Sequence, residues 1–276
     1  MDTRGLLRTA VPKPVREAVW AADRRVQRAQ ERAFERWFDI DVGGHSYFDD
    51  PGIIQGEGTF YESIQYLPLR RAIAALRPGP EDVFADLGSG KGSALVVAGR
   101  FAIKRTIGVE LQDDLTVAAR RNVSRARPRM RCGEFELVSA DVLEWPVPDD
   151  LSIVFMYCPF RGELFSQAMG RLIASYDRNP RPLHILYAYP WEHNRLLATG
   201  RVEVVDVHPA QWPVRPWWPN SGWVITTARV VPAGSAAKPK RHTLSPLRRQ
   251  ALERWSRPND QRFRLRRPGV GAITSR

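Results

Sequence analysis

Cysteine is the scarcest of the informative residues: only Cys132 and Cys158 occur in 276 positions. A small fold stapled by several disulfides is thereby excluded. Nowhere does an apolar run reach the roughly 18 residues that a membrane span requires, and the first residues lack a compact apolar stretch with a small-residue cleavage site. The expected setting is cytoplasmic and reducing. The five histidines, at 45, 184, 193, 208 and 242, are scattered and show no short His/Cys spacing of the zinc type. No metal is expected, and no internal repeat organises the chain.

An excess of one charge sign is also missing from the middle. Residues 41–230 hold 21 basic and 22 acidic side chains, against 9 and 6 in residues 1–40 and 12 and 2 in residues 231–276. The formal net charge of +12 therefore comes mostly from the C-terminal segment, and any pull on a polyanion belongs there rather than to the body. Residues 232–276 have few core-forming side chains and much Arg, Pro and Ser. They read as a basic, largely disordered tail with one short helix expected around Leu247 to Trp255. With 43% hydrophobic residues overall, the remainder has ample material for a core.

From Pro14 to Trp37 apolar residues recur at Val15, Val19, Ala22, Val26, Ala29, Ala33 and Trp37, in steps of three and four. That spacing predicts one stripe on a helix, with arginines on the other side. A helix docked on the body is the plain expectation, and a helix lying on a membrane surface the alternative. A Gly- and Asp-rich loop with Tyr61 and Tyr66 follows, and Pro68 marks the first turn of a second helix. Beyond it, strands are predicted at 83–87, 105–110, 135–139, 152–157, 183–189, 202–207 and 222–231. Helices are predicted at 91–101, 112–125, 161–176 and 191–198. Short apolar strands separated by helices predict a parallel sheet covered on both faces. No helix is evident between the last two strands, so the final one is expected to return antiparallel.

The stretch VFADLGSGKGSALVVAGR, residues 83–100, places glycines at 88, 90 and 92, an acid at Asp86 and a basic residue at Lys91. A phosphate-binding P-loop requires G-x-x-x-x-G-K-[ST], but Lys91 is followed by Gly92 and no glycine stands five residues before Gly90. A dinucleotide loop reads G-x-G-x-x-G, and here Ser93 occupies the third glycine position. Neither pattern is satisfied.

The pattern present, D-x-G-x-G-x-G at the end of a predicted strand, resembles the first motif of class I S-adenosylmethionine-dependent methyltransferases. "KRTIGVEL" places Glu110 where that family accepts the ribose hydroxyls. "ELVSADVLEW" places Asp141 and Val142 at the adenine position, and "LSIVFMYCPF" ends in Tyr157-Cys158-Pro159-Phe160, the substrate-facing motif. Together with "GTFYESIQYLPLRRAIAAL", "DLGSGKG" and "GVEL" look like a bacterial branch of the superfamily, distantly similar to lysine methyltransferases without a SET domain. The resemblance spans roughly residues 55–230.

It implies a Rossmann-like three-layer α/β/α sandwich, with a seven-stranded, mostly parallel sheet and an antiparallel last strand. Its implied cofactor is S-adenosyl-L-methionine, contacted by Tyr61, Asp86, Gly88, Gly90, Glu110, Asp141 and Val142. Tyr61, and Tyr66 after it, would close over the methionine end, the alternative for each being ordinary packing under the N-terminal helix. The implied division is an N-terminal helical extension and loop at 1–54, a cofactor-binding domain at 55–231 and the tail at 232–276. The catalytic set carried over is Tyr157, Cys158, Pro159 and Phe160. Cys158 stands where amino-group methyltransferases carry Asn, and a thiol is a poor acceptor. A nitrogen acceptor such as lysine or an amine is slightly favoured, with oxygen and carbon acceptors still open.

Lys91 is expected to point to solvent, with a contact to the cofactor carboxylate as the alternative. Trp212, Trp217 and Trp218 are expected either to build an acceptor pocket or to pack on Trp223. Two competing expectations remain. In one, a cofactor-sensing body binds nucleic acid or an anionic surface through its Arg-rich tail. In the other, the chain is an NAD-dependent oxidoreductase, which Ser93 and the lack of a Tyr-x-x-x-Lys relay disfavour.

Overall fold

The structure is a computed structural model and describes residues 12–43, 45–46, 61–62, 64–209 and 224–235. In chain order the elements begin with α1 (Lys13–Phe38), β1 (His45–Ser46), β2 (Tyr61–Glu62) and α2 (Tyr66–Leu76). Then come β3 (Val83–Leu87), α3 (Ser93–Ala98), β4 (Arg105–Glu110), α4 (Asp113–Ala126) and β5 (Glu134–Ser139). The remainder is β6 (Ile153–Tyr157), α5 (Gly162–Arg178), β7 (His184–Ala188), α6 (His193–Ala198), β8 (Val202–Pro209) and β9 (Val224–Val230).

Seven strands form one sheet in the order β5-β4-β3-β6-β7-β9-β8. The first five in that order pair in parallel, and β9 runs antiparallel to both β7 and β8. The fold is thus the Rossmann-like three-layer sandwich expected, with the antiparallel last strand inserted one place in from the edge. Each predicted element that falls among the described residues lies within a few residues of its expected bounds. The largest trimming is at 91–101, where the helix covers only Ser93–Ala98 because Gly92 is left-handed (φ 81°) and Gly99 closes the end.

Alternation along the strands divides the core. Val83, Ala85 and Leu87 of β3 and Val154 and Met156 of β6 face α5, meeting Phe165, Met169 and Leu172. Phe84, Ile153 and Phe155 face the other way, toward Leu69, Ile73, Leu95 and Val123. The chain moves outward through β4 and β5 on one side of β3, then resumes at β6 on its other side. That reversal leaves a crevice at the carboxyl ends of β3 and β6, where open α/β sheets hold their ligands. Acids Asp113 and Asp114 open α4 and Arg125 lies in its last turn, both favourable to the helix dipole.

The first helix docks by a different face from the one its periodicity suggests. Phe34 and Phe38 are buried, and Phe34 stacks on Tyr66 at 4.6 Å between centroids. Val15, Val26 and Trp37 of the predicted stripe are instead 47%, 54% and 60% exposed. Phe34 and Phe38 turn inward because Tyr66 of α2 offers a ring for Phe34 to stack on, and apolar area buried there is worth about 25 cal/mol per Å².

Beyond α1 the chain is fastened by Asn122, a buried residue of α4. Its side-chain amide donates to Asp41 O at 2.9 Å and Lys91 O at 3.0 Å, and its Oδ1 accepts Asp41 N–H at 3.0 Å. Replacing Asn122 with Ala strands these backbone groups, and a buried unsatisfied group costs about 1–3 kcal/mol. The expected outcome is a stability loss of about that size in urea unfolding, with no change in the m-value.

Candidate active site at the strand ends

The glycine loop leaves β3, touches the end of β4 and enters α3. Gly88 N–H and Ser89 N–H both donate to Val109 O, at 2.8 and 3.0 Å, and Gly92 N–H donates to Ser89 O at 2.8 Å. Gly90 N–H donates to Glu110 Oε2 at 2.8 Å. The amides of residues 88, 89, 90 and 92 are therefore already engaged within the protein. A loop that cradles phosphate turns such amides toward the anion, and this one does not.

Two of the glycines have no substitute. Gly88 has φ 78°, and a Cβ there would lie 2.6 Å from Pro159 Cβ; Gly92 has φ 81°, with Ala119 Cβ 3.2 Å from its virtual Cβ. The first of these contacts brings the ends of β3 and β6 together.

Asp86 and Glu110 sit on adjacent strand ends and are 3% and 8% exposed. Burial pushes the Asp86 carboxyl well above the usual carboxylate range, and the charge of Glu110 adds to the rise. Burial also raises Glu110, while the N–H groups of Gln112, Gly90 and Leu111 offset part of it. Glu110 Oε1 accepts Gln112 N–H at 3.0 Å. Each carboxylate oxygen keeps a further lone pair, so the group can still receive two hydroxyl donors. Asp141 follows β5, half-buried, with Oδ1 accepting Leu143 N–H at 2.8 Å. It is held near Glu110 because Ala140 N–H donates to Glu110 O at 2.9 Å. Val142 is half-buried and packs against the core on the α5 side.

The end of β6 forms the other wall. Tyr157 closes the strand half-buried, and Cys158 follows with φ 45°. Burial raises the Cys158 thiol, and Arg161 beside it offsets part of that. The thiol stays protonated at neutral pH and is no nucleophile there. Pro159 touches the glycine loop as described. Phe160 is buried, 6.3 Å from Phe165, which stacks on Tyr187 at 5.4 Å.

Motif reading misses the polar residues around this wall. The Arg161 guanidinium lies over the Trp191 ring at 4.1 Å from its centroid. Glu192 Oε1 accepts Gly162 N–H at 3.2 Å, its Oε2 pairs with Arg195 Nε at 3.0 Å, and Glu192 N–H donates to Tyr187 Oη at 3.2 Å. His193 is fully buried, and burial lowers its pKa to about 4, so its ring is neutral. The only sequence signal for this group is its place just past two strand ends.

The predicted residues thus fall into two neighbouring sets, Asp86, Gly88, Gly90, Glu110, Asp141 and Val142 at β3 to β5, and Tyr157 to Phe160 at β6. Tyr61 lies in the short β1–β2 ribbon, its backbone paired with Ser46. Tyr66 stacks on Phe34. Lys91 corrects the sequence reading: rather than reaching into solvent, Nζ donates to Gly43 O at 2.7 Å. Trp212, Trp217, Trp218, Trp223 and the Leu247–Trp255 helix lie outside the described residues. Among the described residues no cluster of three or more His, Cys, Asp or Glu side chains is arranged for a metal, and no helix is long and apolar enough to cross a membrane.

No protein-family model matches the sequence, and no curated protein is significantly similar to it. Solved structures of SAM-dependent methyltransferases resemble it in part. A TehB-like SAM-dependent methyltransferase of Corynebacterium glutamicum shares 13% identity at TM-score 0.41, over 60% of this chain and 88% of that one. One from Thiobacillus denitrificans, solved with S-adenosyl-L-homocysteine, shares 18% at 0.41, over 56% and 71%. A tRNA methyltransferase of B. subtilis shares 14% at 0.45, over 62% and 67%. At these values the functional reading has to rest on the residues themselves.

Asp86 yields a pH-dependent expectation. An acid whose pKa is raised by folding binds its proton more tightly in the native state, so stability falls as pH climbs from the unfolded carboxylate value through the raised one. Asp86→Asn removes that loss. Its melting temperature should exceed that of the parent at about pH 8, with the difference shrinking toward about pH 4. Calorimetric melts across that range measure it, and an unchanged difference would refute the assignment.

Proposed function

We propose that the chain is an S-adenosyl-L-methionine-dependent methyltransferase, with residues 55–231 as its catalytic body and Glu110 as the anchor of the cofactor ribose. The observation that supports this most directly is the engagement of the loop amides: Gly88, Ser89, Gly90 and Gly92 donate inward, and an acid rather than a phosphate occupies Gly90. Asp86 buried beside Glu110 makes the crevice unfavourable for pyrophosphate and favourable for a ligand with a cationic amino group and a ribose diol. When bound, S-adenosyl-L-methionine supplies an electrophilic methyl group whose bond to sulfur breaks as the acceptor's lone pair bonds to carbon.

The protein's part is to bind, orient and enclose. In this reading Glu110 receives the two ribose hydroxyls, Asp141 and the main chain of Val142 meet the adenine, and Gly88 and Gly90 admit the cofactor without Cβ collisions. Asp86 faces the amino-acid end, whose ammonium group would draw its carboxyl back toward the charged form, and Tyr61 covers it. Tyr157, Cys158, Pro159 and Phe160 form the acceptor wall, where alignment of the reactants is worth up to about 7–11 kcal/mol in favourable cases. Because the Cys158 thiol is a protonated, weak acceptor, orientation of a nitrogen lone pair would rely on main-chain carbonyls. A nitrogen acceptor remains slightly favoured over oxygen.

Titration calorimetry tests this with S-adenosylhomocysteine and with NAD. The parent should bind the first and not the second. Glu110→Ala should weaken adenosyl binding about 150-fold, the loss of two hydrogen bonds to a charged group at about 1.5 kcal/mol each. Unchanged affinity would remove the ribose assignment, and tight NAD binding would overturn the proposal.

A further inference from the structure

Among the described residues, one stripe of α1 is left largely exposed. Val15, Val26 and Trp37 are spaced by eleven residues, three helical turns, so they stand in one line about 33 Å long at 1.5 Å per residue. They are 47%, 54% and 60% exposed, three of the six large hydrophobic side chains exposed among the described residues. Ala22, Ala29 and Ala33 lie in the same line and are exposed as well. Along one edge run the exposed guanidinium groups of Arg25, Arg32 and Arg36, roughly 60–100° around the helix at 100° per residue. At the opposite edge Arg129, carried by the turn after α4, sits over the Trp37 ring at 5.9 Å. Glu31 and Glu35 are placed on the far side of the helix from the stripe.

We infer that this face of α1 binds an anionic phospholipid surface, with the valines and Trp37 entering the headgroup boundary and the arginines meeting lipid phosphates and carboxylates. An apolar line with a row of guanidinium groups along one edge, Arg129 at the Trp37 end of the other and an interfacial Trp fits that environment. Other occupants fit less well. A nucleic acid would use the arginines but gain nothing from 33 Å of exposed Val and Ala, its affinity being set by phosphate contacts (length at about 1.5 Å per residue). A second copy would place arginine row on arginine row if antiparallel, or on the Arg129 edge if parallel. Residues 236–276 carry twelve basic and two acidic side chains, the wrong sign for the arginine row.

The test is co-sedimentation of the full chain with phosphatidylcholine vesicles containing phosphatidylserine, beside vesicles of phosphatidylcholine alone. The parent should bind the anionic vesicles selectively. The exposed-site double variant Val26→Asp/Trp37→Ser should bind about tenfold more weakly or worse, with an unchanged melting temperature. The triple variant Arg25→Glu/Arg32→Glu/Arg36→Glu should lose binding to a similar degree and provides a second reading should the first variant misfold. Absence of anionic-vesicle binding, or binding that survives both variants, as a tail contact would, overturns the inference. So does a dimer in sedimentation velocity that Val26→Asp/Trp37→Ser dissociates, or single-stranded RNA bound by the parent and lost with the arginines while vesicles are not bound.

Discussion

The bond from Gly90 N–H to Glu110 Oε2 is the constraint on which the candidate site depends. It ties the glycine loop after β3 to the end of β4 and decides what the loop can hold. A buried carboxylate is costly unless hydrogen bonds or counter-charges satisfy it. Here backbone N–H groups satisfy part of Glu110, while Asp86 receives from burial and from Glu110 only a push toward protonation. Two acids held side by side in a crevice are an arrangement awaiting donors and positive charge. A ligand rich in hydroxyls and carrying an ammonium group relieves both, whereas a diphosphate relieves neither.

Close approach completes the site where bonds do not. Gly88 lets Pro159 come against the loop, which sets the spacing between the ends of β3 and β6. Directly beyond the strands, Cys158 (φ 45°) and Tyr189 (φ 51°) are both left-handed without being glycine. Such conformations cost of order 1–3 kcal/mol and persist where surrounding structure enforces them. Both turns redirect the chain immediately at the sheet's carboxyl edge, and between them Arg161 and Trp191 stack. The β6 wall of the crevice is thus built from sharply turned backbone and a guanidinium–indole pair.

The sheet was legible in the sequence because buried strands write themselves as short apolar runs, and the loop because glycine alone tolerates Gly88's surroundings. Asp86 and Glu110 were legible for the same reason: they end such runs. What pattern alone could not show was which face of α1 turns inward. Periodicity identifies residues that share a side, but Val15, Val26 and Trp37 look as good on paper as Phe34 and Phe38, and the contact of Phe34 with Tyr66 that separates them is not written in the helix itself. Lys91 and Asn122 were illegible for a related reason. Their partners, Gly43 O and Asp41, are backbone groups far away in sequence, and backbone leaves no mark in residue identity. Arg161, Trp191 and Glu192 belong together only after β6 and β7 have paired.

These distant bonds give the first helix a physical connection to the site. From Phe34 and Phe38 the chain passes directly into residues 39–43, where Asp41 is held by Asn122 and Gly43 by Lys91, itself a member of the glycine loop. Asn122 also donates to Lys91 O, so one side chain spans the segment and the loop. Whatever seats α1 therefore acts a few residues from the backbone that positions Glu110. A mechanical link of this kind transmits force but does not by itself make two states. Coupling in the thermodynamic sense would need the loop to adopt a second arrangement that an occupied α1 favours, and with four amides engaged the loop has little freedom to do so. The reasonable consequence of docking is thus orientation: the crevice at the ends of β3 and β6 would be held at a fixed attitude to the surface on which α1 lies, which matters for an acceptor delivered from that surface and not for one arriving from solution.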